Sequence, residues 1–167
     1  MGICGGYQML GKSIADPYGV EGPVGISEAL GLLDVETVLE QDKCLANASG
    51  VILGETCEAF GYEIHMGQSV VSGSCKPFLR VSARNNKPED DVDGAVSRDG
   101  KVTGTYFHGI FDEPAVKQWF LSRVEPVYRA ERQEKGHQES YELLAAHFSQ
   151  HLDLARVYEI IDQQPLP

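Results

Sequence analysis

A single thiol set among glycines is the first place where this chain could do chemistry: Cys4 lies in Gly2-Ile3-Cys4-Gly5-Gly6-Tyr7-Gln8-Met9-Leu10-Gly11. The run predicts a strand-to-helix turn, because a nucleophile on a strained elbow needs small neighbours that let substrate approach the backbone. Gly2, Gly5 and Gly6 supply that room, and Tyr7-Gln8-Met9-Leu10 opens a helix whose leading amides favour an anion such as a thiolate. Taken alone, the run fits a buried structural cysteine beside a glycine turn equally well. Cys44, Cys57 and Cys75 stand far apart, with neither the close spacing of a metal site nor the density of a disulfide scaffold, so reduced thiols are expected and no metal. Of the histidines, His137, His147 and His151 fall in the polar C-terminal third, the latter two as solvated helix residues. His65 and His108 remain as the pair with chemical interest. Glu63 and His65 share a strand face, which reads as a pocket wall or as an exposed sheet face.

The whole chain bounds what these residues can serve. Its 167 residues, 42% apolar and 23% charged, suit one soluble globular domain over 1–167. A net charge of −11 argues against a nucleic-acid partner, which needs clustered Lys and Arg. No apolar run reaches the roughly 20 residues of a bilayer span and no signal peptide opens the chain, so no membrane partner is expected and the location is read as cytoplasmic.

The elements that must position the thiol follow from pattern and punctuation. A helix is expected from Gly5 to about Ile14, ended by Ala15-Asp16-Pro17-Tyr18-Gly19. Ser27 to Leu30 reads as a short helical turn capped by Ser27. Strands are expected over Gly31 to Leu39, Gly50 to Gly54, Phe60 to Gly67, Phe78 to Ser82 and Val102 to His108, with Asn85 to Asp93 as an exposed loop. Pro114 opens a helix with Val116, Trp119, Phe120 and Val124 on one stripe, Trp119 in the core. Ala130 to Gln138 reads as a surface connection. Tyr141, Leu144, Phe148 and Leu152 recur at helical intervals, and Val157, Tyr158 and Ile161 continue behind a cap at Asp153.

Four strings taken together resemble one family: the elbow run, Gly31-Leu32-Leu33-Asp34-Val35-Glu36-Thr37, Gly61-Tyr62-Glu63-Ile64-His65-Met66-Gly67, and Gly104-Thr105-Tyr106-Phe107-His108-Gly109-Ile110-Phe111. Their order is that of the C-terminal glutamine amidotransferase domain of the cobyric acid synthases, over nearly the whole chain. The resemblance implies an α/β, three-layer class I amidotransferase-like (flavodoxin-like) fold, and an enzyme of cobalamin biosynthesis that releases ammonia from glutamine for ATP-dependent amidation of corrin carboxylates. It implies Cys4 as nucleophile, His108 as proton carrier, the Gly5 amide as an oxyanion donor, and Gln8, Glu63 and His65 around the substrate.

Two departures qualify that picture. The wider class often carries His-Pro-Glu, whereas His108 is followed by Gly109 and Ile110, as in the cobyric acid synthases; the third member stays unassigned, with Asp112 and Glu113 as weak candidates. In the family several strands precede the nucleophile, so a sequence opening at the elbow is expected to be a partial domain, incomplete at its N-terminus and prone to self-association. Gly6 to Ser13 has the Gly-x4-Gly-Lys-Ser spacing of a phosphate loop, but it falls in the run read as the elbow and its helix, and the resemblance implies that ATP, Mg and the corrinoid would be bound by a synthetase domain outside this sequence. Two alternatives stay open: a catalytically inactive interaction module, and the related amidotransferase of cell-wall lipid precursors.

Overall fold

The computed structural model describes residues 1–125 and 137–162, in two units, Met1–Arg129 and Ala130–Pro167. The fold is mixed α/β, as expected. In the first unit a two-residue strand β1 (Gly2–Ile3) leads through Cys4 into helix α1 (Gly5–Leu10). Strands β2 (Ser13–Asp16), β3 (Gly25–Glu28), β4 (Val35–Ile52), β5 (Glu58–Val71), β6 (Leu79–Arg84), β7 (Lys87–Asp93), β8 (Ala95–Val96) and β9 (Thr103–Thr105) follow, then a 3-10 turn (Ile110–Asp112) and helix α2 (Pro114–Val124).

The strands form two sheets. One has three strands in the order β1-β9-β8, with β1 parallel to β9 and Ile3 opposite Thr105. The other has six strands, β3-β2-β4-β6-β7 with β5 also on β4. Isolated bridges pair Tyr62 of β5 with His108, just beyond β9, and Val96 of β8 with Lys76, between β5 and β6. Two clusters fill the unit: Phe78, Leu79, Val81, Phe107, Ile110 and Val116 with neighbours in one, Tyr7, Leu33, Val35, Ala95 and Tyr106 in the other. Tyr106 and Phe107 go to different clusters because successive side chains of an extended chain point to opposite sides. Anchored on both sides, that segment fixes the start of the His108 loop.

Several expected boundaries differ. The helix at Cys4 stops at Leu10, where the Gly11 amide caps the Gln8 carbonyl at 3.0 Å; a Cβ at Gly11 would meet the Val35 carbonyl oxygen at 2.6 Å. Ser13 to Ala15 instead pairs in parallel with β4, and Ser27 lies in a strand against Ile14, not in a helical turn. The two strands expected over Gly31 to Leu39 and Gly50 to Gly54 merge into one 18-residue strand, with a register shift between Val38 and Lys43 against β5 that absorbs its polar middle. The expected loop Asn85 to Asp93 contains β7, joined to β6 through Asn85 and Asn86 at φ 49° and 61°. Positive φ at both central residues is what a tight hairpin turn with strand-matched twist requires, and Asn tolerates it. On α2 Val116 is buried and Trp119 packs on Phe78, but Val124 is 71% exposed.

The second unit contains helices α3 (His137–His151) and α4 (Leu154–Asp162). Asp153 caps α4 by accepting the Arg156 amide at 3.0 Å, as its position in the sequence suggests. The apolar series from Tyr141 to Ile161 is exposed. The connection read over Ala130 to Gln138 lies almost wholly outside the described residues. Among the described residues no helix is long and apolar enough to cross a membrane.

Candidate functional site

Among the described residues, Cys4 is one of three non-glycine residues with positive φ, at φ 54° and ψ −117° between β1 and α1. That conformation is costly for an L-residue and persists only when its surroundings enforce it. Here the enforcement is local: the Cys4 amide donates to the Thr105 carbonyl at 2.9 Å, while the Cys4 carbonyl accepts the Tyr7 and Gln8 amides at 2.8 and 3.1 Å. Gly2 is sterically required, since a Cβ there would lie 2.5 Å from the Gly6 carbonyl oxygen. Gly5 and Gly6 are exposed and face open space, which leaves the approach to the thiol clear. The site thus stands at the C-terminal ends of the parallel pair β1 and β9, where open α/β folds gather their ligands.

His108 reaches the same place from β9. Its amide donates to the Tyr62 carbonyl at 2.8 Å and its carbonyl accepts the Tyr62 amide at 3.1 Å. Its ring stacks on Tyr62 with centroids 4.9 Å apart and planes 9° from parallel. The Cys4 thiol donates to the Ile64 carbonyl at 3.4 Å. Tyr62 and Ile64 present their backbone groups to one edge of β5, so Cys4 and His108 dock on that edge at points about 7 Å apart along the strand. The His108 Nε2 is buried and, among the described residues, has no hydrogen-bond partner; neither Asp112 nor Glu113 supplies one. A buried ring nitrogen without a partner is costly for a purely structural histidine and suits one that exchanges protons with a substrate.

Gln8 meets this edge one step further along, at Met66, whereas Glu63 and His65 leave it for the cavity. Gln8 is 7% exposed and turns inward, its Nε2 donating to the Met66 carbonyl at 3.3 Å and to the Tyr106 hydroxyl at 3.1 Å. That hydroxyl also shares a 2.7 Å hydrogen bond with Ser69, which shares another with Thr37. His65 stacks on Tyr106 at 3.8 Å and hydrogen-bonds through Nδ1 to the Gly67 carbonyl at 3.0 Å; burial holds its pKa below the ordinary histidine value. Glu63 is buried and held by Arg84 through two hydrogen bonds, 2.6 and 3.1 Å. Arg84 also binds Glu89 and Asp91, and these carboxylates, Glu63 first, raise its pKa further.

Glu63 and His65 do share a face, and it borders a cavity of about 1020 Å³ lined also by Tyr7, Arg84, Asp93 and Tyr106. Among the described residues Cys4, Gly5, Gln8 and His108 do not line it. The alternation of β5 explains the division: Tyr62 and Ile64 belong to one side and Glu63 and His65 to the other. The cavity is also bordered by Glu40, Asp42 and Asp91, a carboxylate lining ill-suited to a triphosphate. Among the described residues no group of three His, Cys, Asp or Glu is placed to hold a metal. Asp93, Arg84 and Tyr106 escaped the sequence reading because their roles come from pairings between distant strands; the Asp93-Gly94 turn ahead of β8 was the one local signal.

Residues 1–116 match the CobB/CobQ-like glutamine amidotransferase domain family. The chain is 71% identical over 163 residues to a cobyric acid synthase of Pelodictyon phaeoclathratiforme and 61% identical over 164 to one of Chlorobium chlorochromatii, each time covering 98% of this chain and 32% of the relative. To a cobyric acid synthase of Rhodobacter capsulatus it is 40% identical, covering 94% of this chain and 31% of the relative. It therefore spans about a third of the length of the relatives it matches. With a family match that runs from the elbow past the His108 loop, the chain belongs to the CobB/CobQ-like glutamine amidotransferase domains.

Proposed function

We propose that this domain releases ammonia from glutamine at Cys4 and His108, as the amidotransferase part of a cobyric acid synthase. The observation that carries the reading is the strained Cys4 elbow docked on the same edge of β5 as a histidine whose Nε2 is buried and has no hydrogen-bond partner among the described residues. The Cys4 thiolate attacks the side-chain amide carbon of glutamine, and His108 delivers the proton with which ammonia leaves. The glutamyl thioester is then hydrolysed: His108 takes a proton from the attacking water, glutamate departs, and the Cys4 thiolate is restored. The Gly5 amide, exposed at the start of α1, stabilises the oxyanion. Gln8 acts by holding β5 and Tyr106 in place, while Glu63 and His65 belong to the cavity on the other side of the strand.

Ammonia formed here serves ATP-dependent amidation of corrin carboxylates, a ligase step in the cytoplasm. ATP and Mg are assigned to the part of the longer relatives that this chain does not match: Gly6 to Ser13 has the spacing of a phosphate loop, but Gly5–Leu10 is helical, Lys12 is paired with Asp34, Ser13 opens β2, and the cavity is lined by carboxylates. The four free cysteines accord with a reducing location. An exposed apolar strip on β4 and β5 supports association with a synthetase partner or with a second copy.

The test is Cys4→Ala in the intact protein. Glutamine-dependent amidation should be lost while ammonia-dependent amidation stays within about threefold of wild type, because only the nitrogen supply is removed. Equal loss with both donors would contradict this division of labour.

A further inference from the structure

We propose that Asp93 is a positioning residue that holds Cys4 and His108 in register through the backbone between them. The inference rests on the reading of those two residues as the reacting pair. Asp93 ends β7 and is 5% exposed. Gly94 follows at φ 71°, with its α-carbon so close to the Gly104 carbonyl that no Cβ fits, and this turn brings the Asp93 carboxylate beneath β9. There the carboxylate accepts a short hydrogen bond from the Thr105 hydroxyl and the Tyr106 amide at 3.2 and 3.3 Å. The Thr105 hydroxyl oxygen in turn accepts the Phe107 amide at 3.1 Å.

The three residues immediately before His108 are thus tied to one buried carboxylate. The same Thr105 presents its carbonyl to the Cys4 amide, which is part of what enforces the strained elbow. A single side chain, far from the motif in sequence, thereby sets both ends of the reacting pair. The charged and titratable groups facing it are Tyr7 from α1, Glu63 from β5, Arg84 from β6 and Tyr106 beyond β9. None of them neutralises it directly: Arg84 is already engaged by Glu63, Glu89 and Asp91. Burial pushes its carboxyl up to about 6, against the opposing pull of the Thr105 and Tyr106 donors. Charge-assisted acceptance of those donors is the gain set against that burial.

Asp93→Ala, Thr105→Val and Cys4→Ala, each made in the intact protein, test the proposal by glutamate release and by ammonia-dependent amidation. Asp93→Ala and Thr105→Val should lower kcat for glutamate release by about tenfold to a hundredfold, the scale of a small misplacement of reacting groups. KM for glutamine and the ammonia-dependent rate should stay within about threefold of wild type. Should Asp93→Ala fail to fold, the nearly isosteric Thr105→Val carries the test. Wild-type kcat in a folded Thr105→Val or Asp93→Ala, with Cys4→Ala inactive in glutamate release, would overturn the positioning role alone. Glutamate release surviving in Cys4→Ala would overturn the reading beneath it, and the positioning role with it.

Discussion

Cys4 holds a backbone conformation that glycine adopts freely and other residues do not, and this separates strain from chemistry. Replacing it by Gly or by Ala removes the thiol in both cases. Only Gly relieves the strain, so Cys4→Gly should be the more stable of the two by about 1 kcal/mol, the reverse of the usual order, in thermal or urea unfolding. A more stable Cys4→Ala would show that the elbow is not strained. Asp93 gives a prediction in pH. Its folded pKa of about 6 lies above the roughly 3.9 of an unfolded aspartate, so the folded state holds the proton more tightly and stability falls as pH rises between those values. Relative to Asp93→Asn, the wild type should lose about 3 kcal/mol of stability from pH 3 to pH 7. A constant difference across that range would mean the carboxyl is not shifted. The strand-to-helix elbow at Cys4 was legible in the sequence because its glycines are local to it. Asp93 was not, because it closes an acidic, exposed run and its burial depends on β9 arriving from later in the chain.

At the scale of elements, β5 organises the site: one edge meets Cys4 and His108, and one face carries Glu63 into the cavity. Its alternation was readable, and so was the shared face of Glu63 and His65. The hairpin beside it was missed because β7 is exposed at every position but its last and shows no apolar period, while Asn85 and Asn86 give a turn signal that polar loops also carry. The long β4 was missed because its polar middle looked like a break. Two substitutions probe β5. Gly61→Ala places a Cβ 2.2 Å from the His108 carbonyl oxygen, which should cost about 1–3 kcal/mol and lower glutamate release by displacing that loop. Unchanged stability and activity would show that the bridge is dispensable. Arg84→Met leaves the Glu63 carboxylate buried without its partner and should cost about 3–5 kcal/mol in denaturant unfolding. A loss below about 1 kcal/mol would place that pair in the solvated class.

Among the described residues, apolar side chains stay exposed in both units. In the first unit Leu45, Val51, Phe60 and Tyr62 are exposed, from 37% at Val51 to 68% at Leu45, and cross-strand pairing sets them on one face of β4 and β5. Monomeric proteins rarely leave such a strip uncovered. The weight-average mass in sedimentation should therefore rise with concentration, and Phe60→Ser should suppress the rise; a monomer at all concentrations would refute self-association. The stripes of α3 and α4 were readable as helical periods, yet the sequence carries no sign of what they pack against. The proposed role of Cys4 as the glutamine-hydrolysing thiol is tested by treating the intact protein with an electrophilic glutamine analogue and locating the adduct by peptide mass spectrometry. Burial raises the thiol pKa values of Cys44 and Cys57, which slows them as competitors. An adduct is expected on Cys4, suppressed by excess glutamine and lost in His108→Ala; equal labelling of Cys4, Cys44, Cys57 and Cys75 without protection by glutamine would contradict that role.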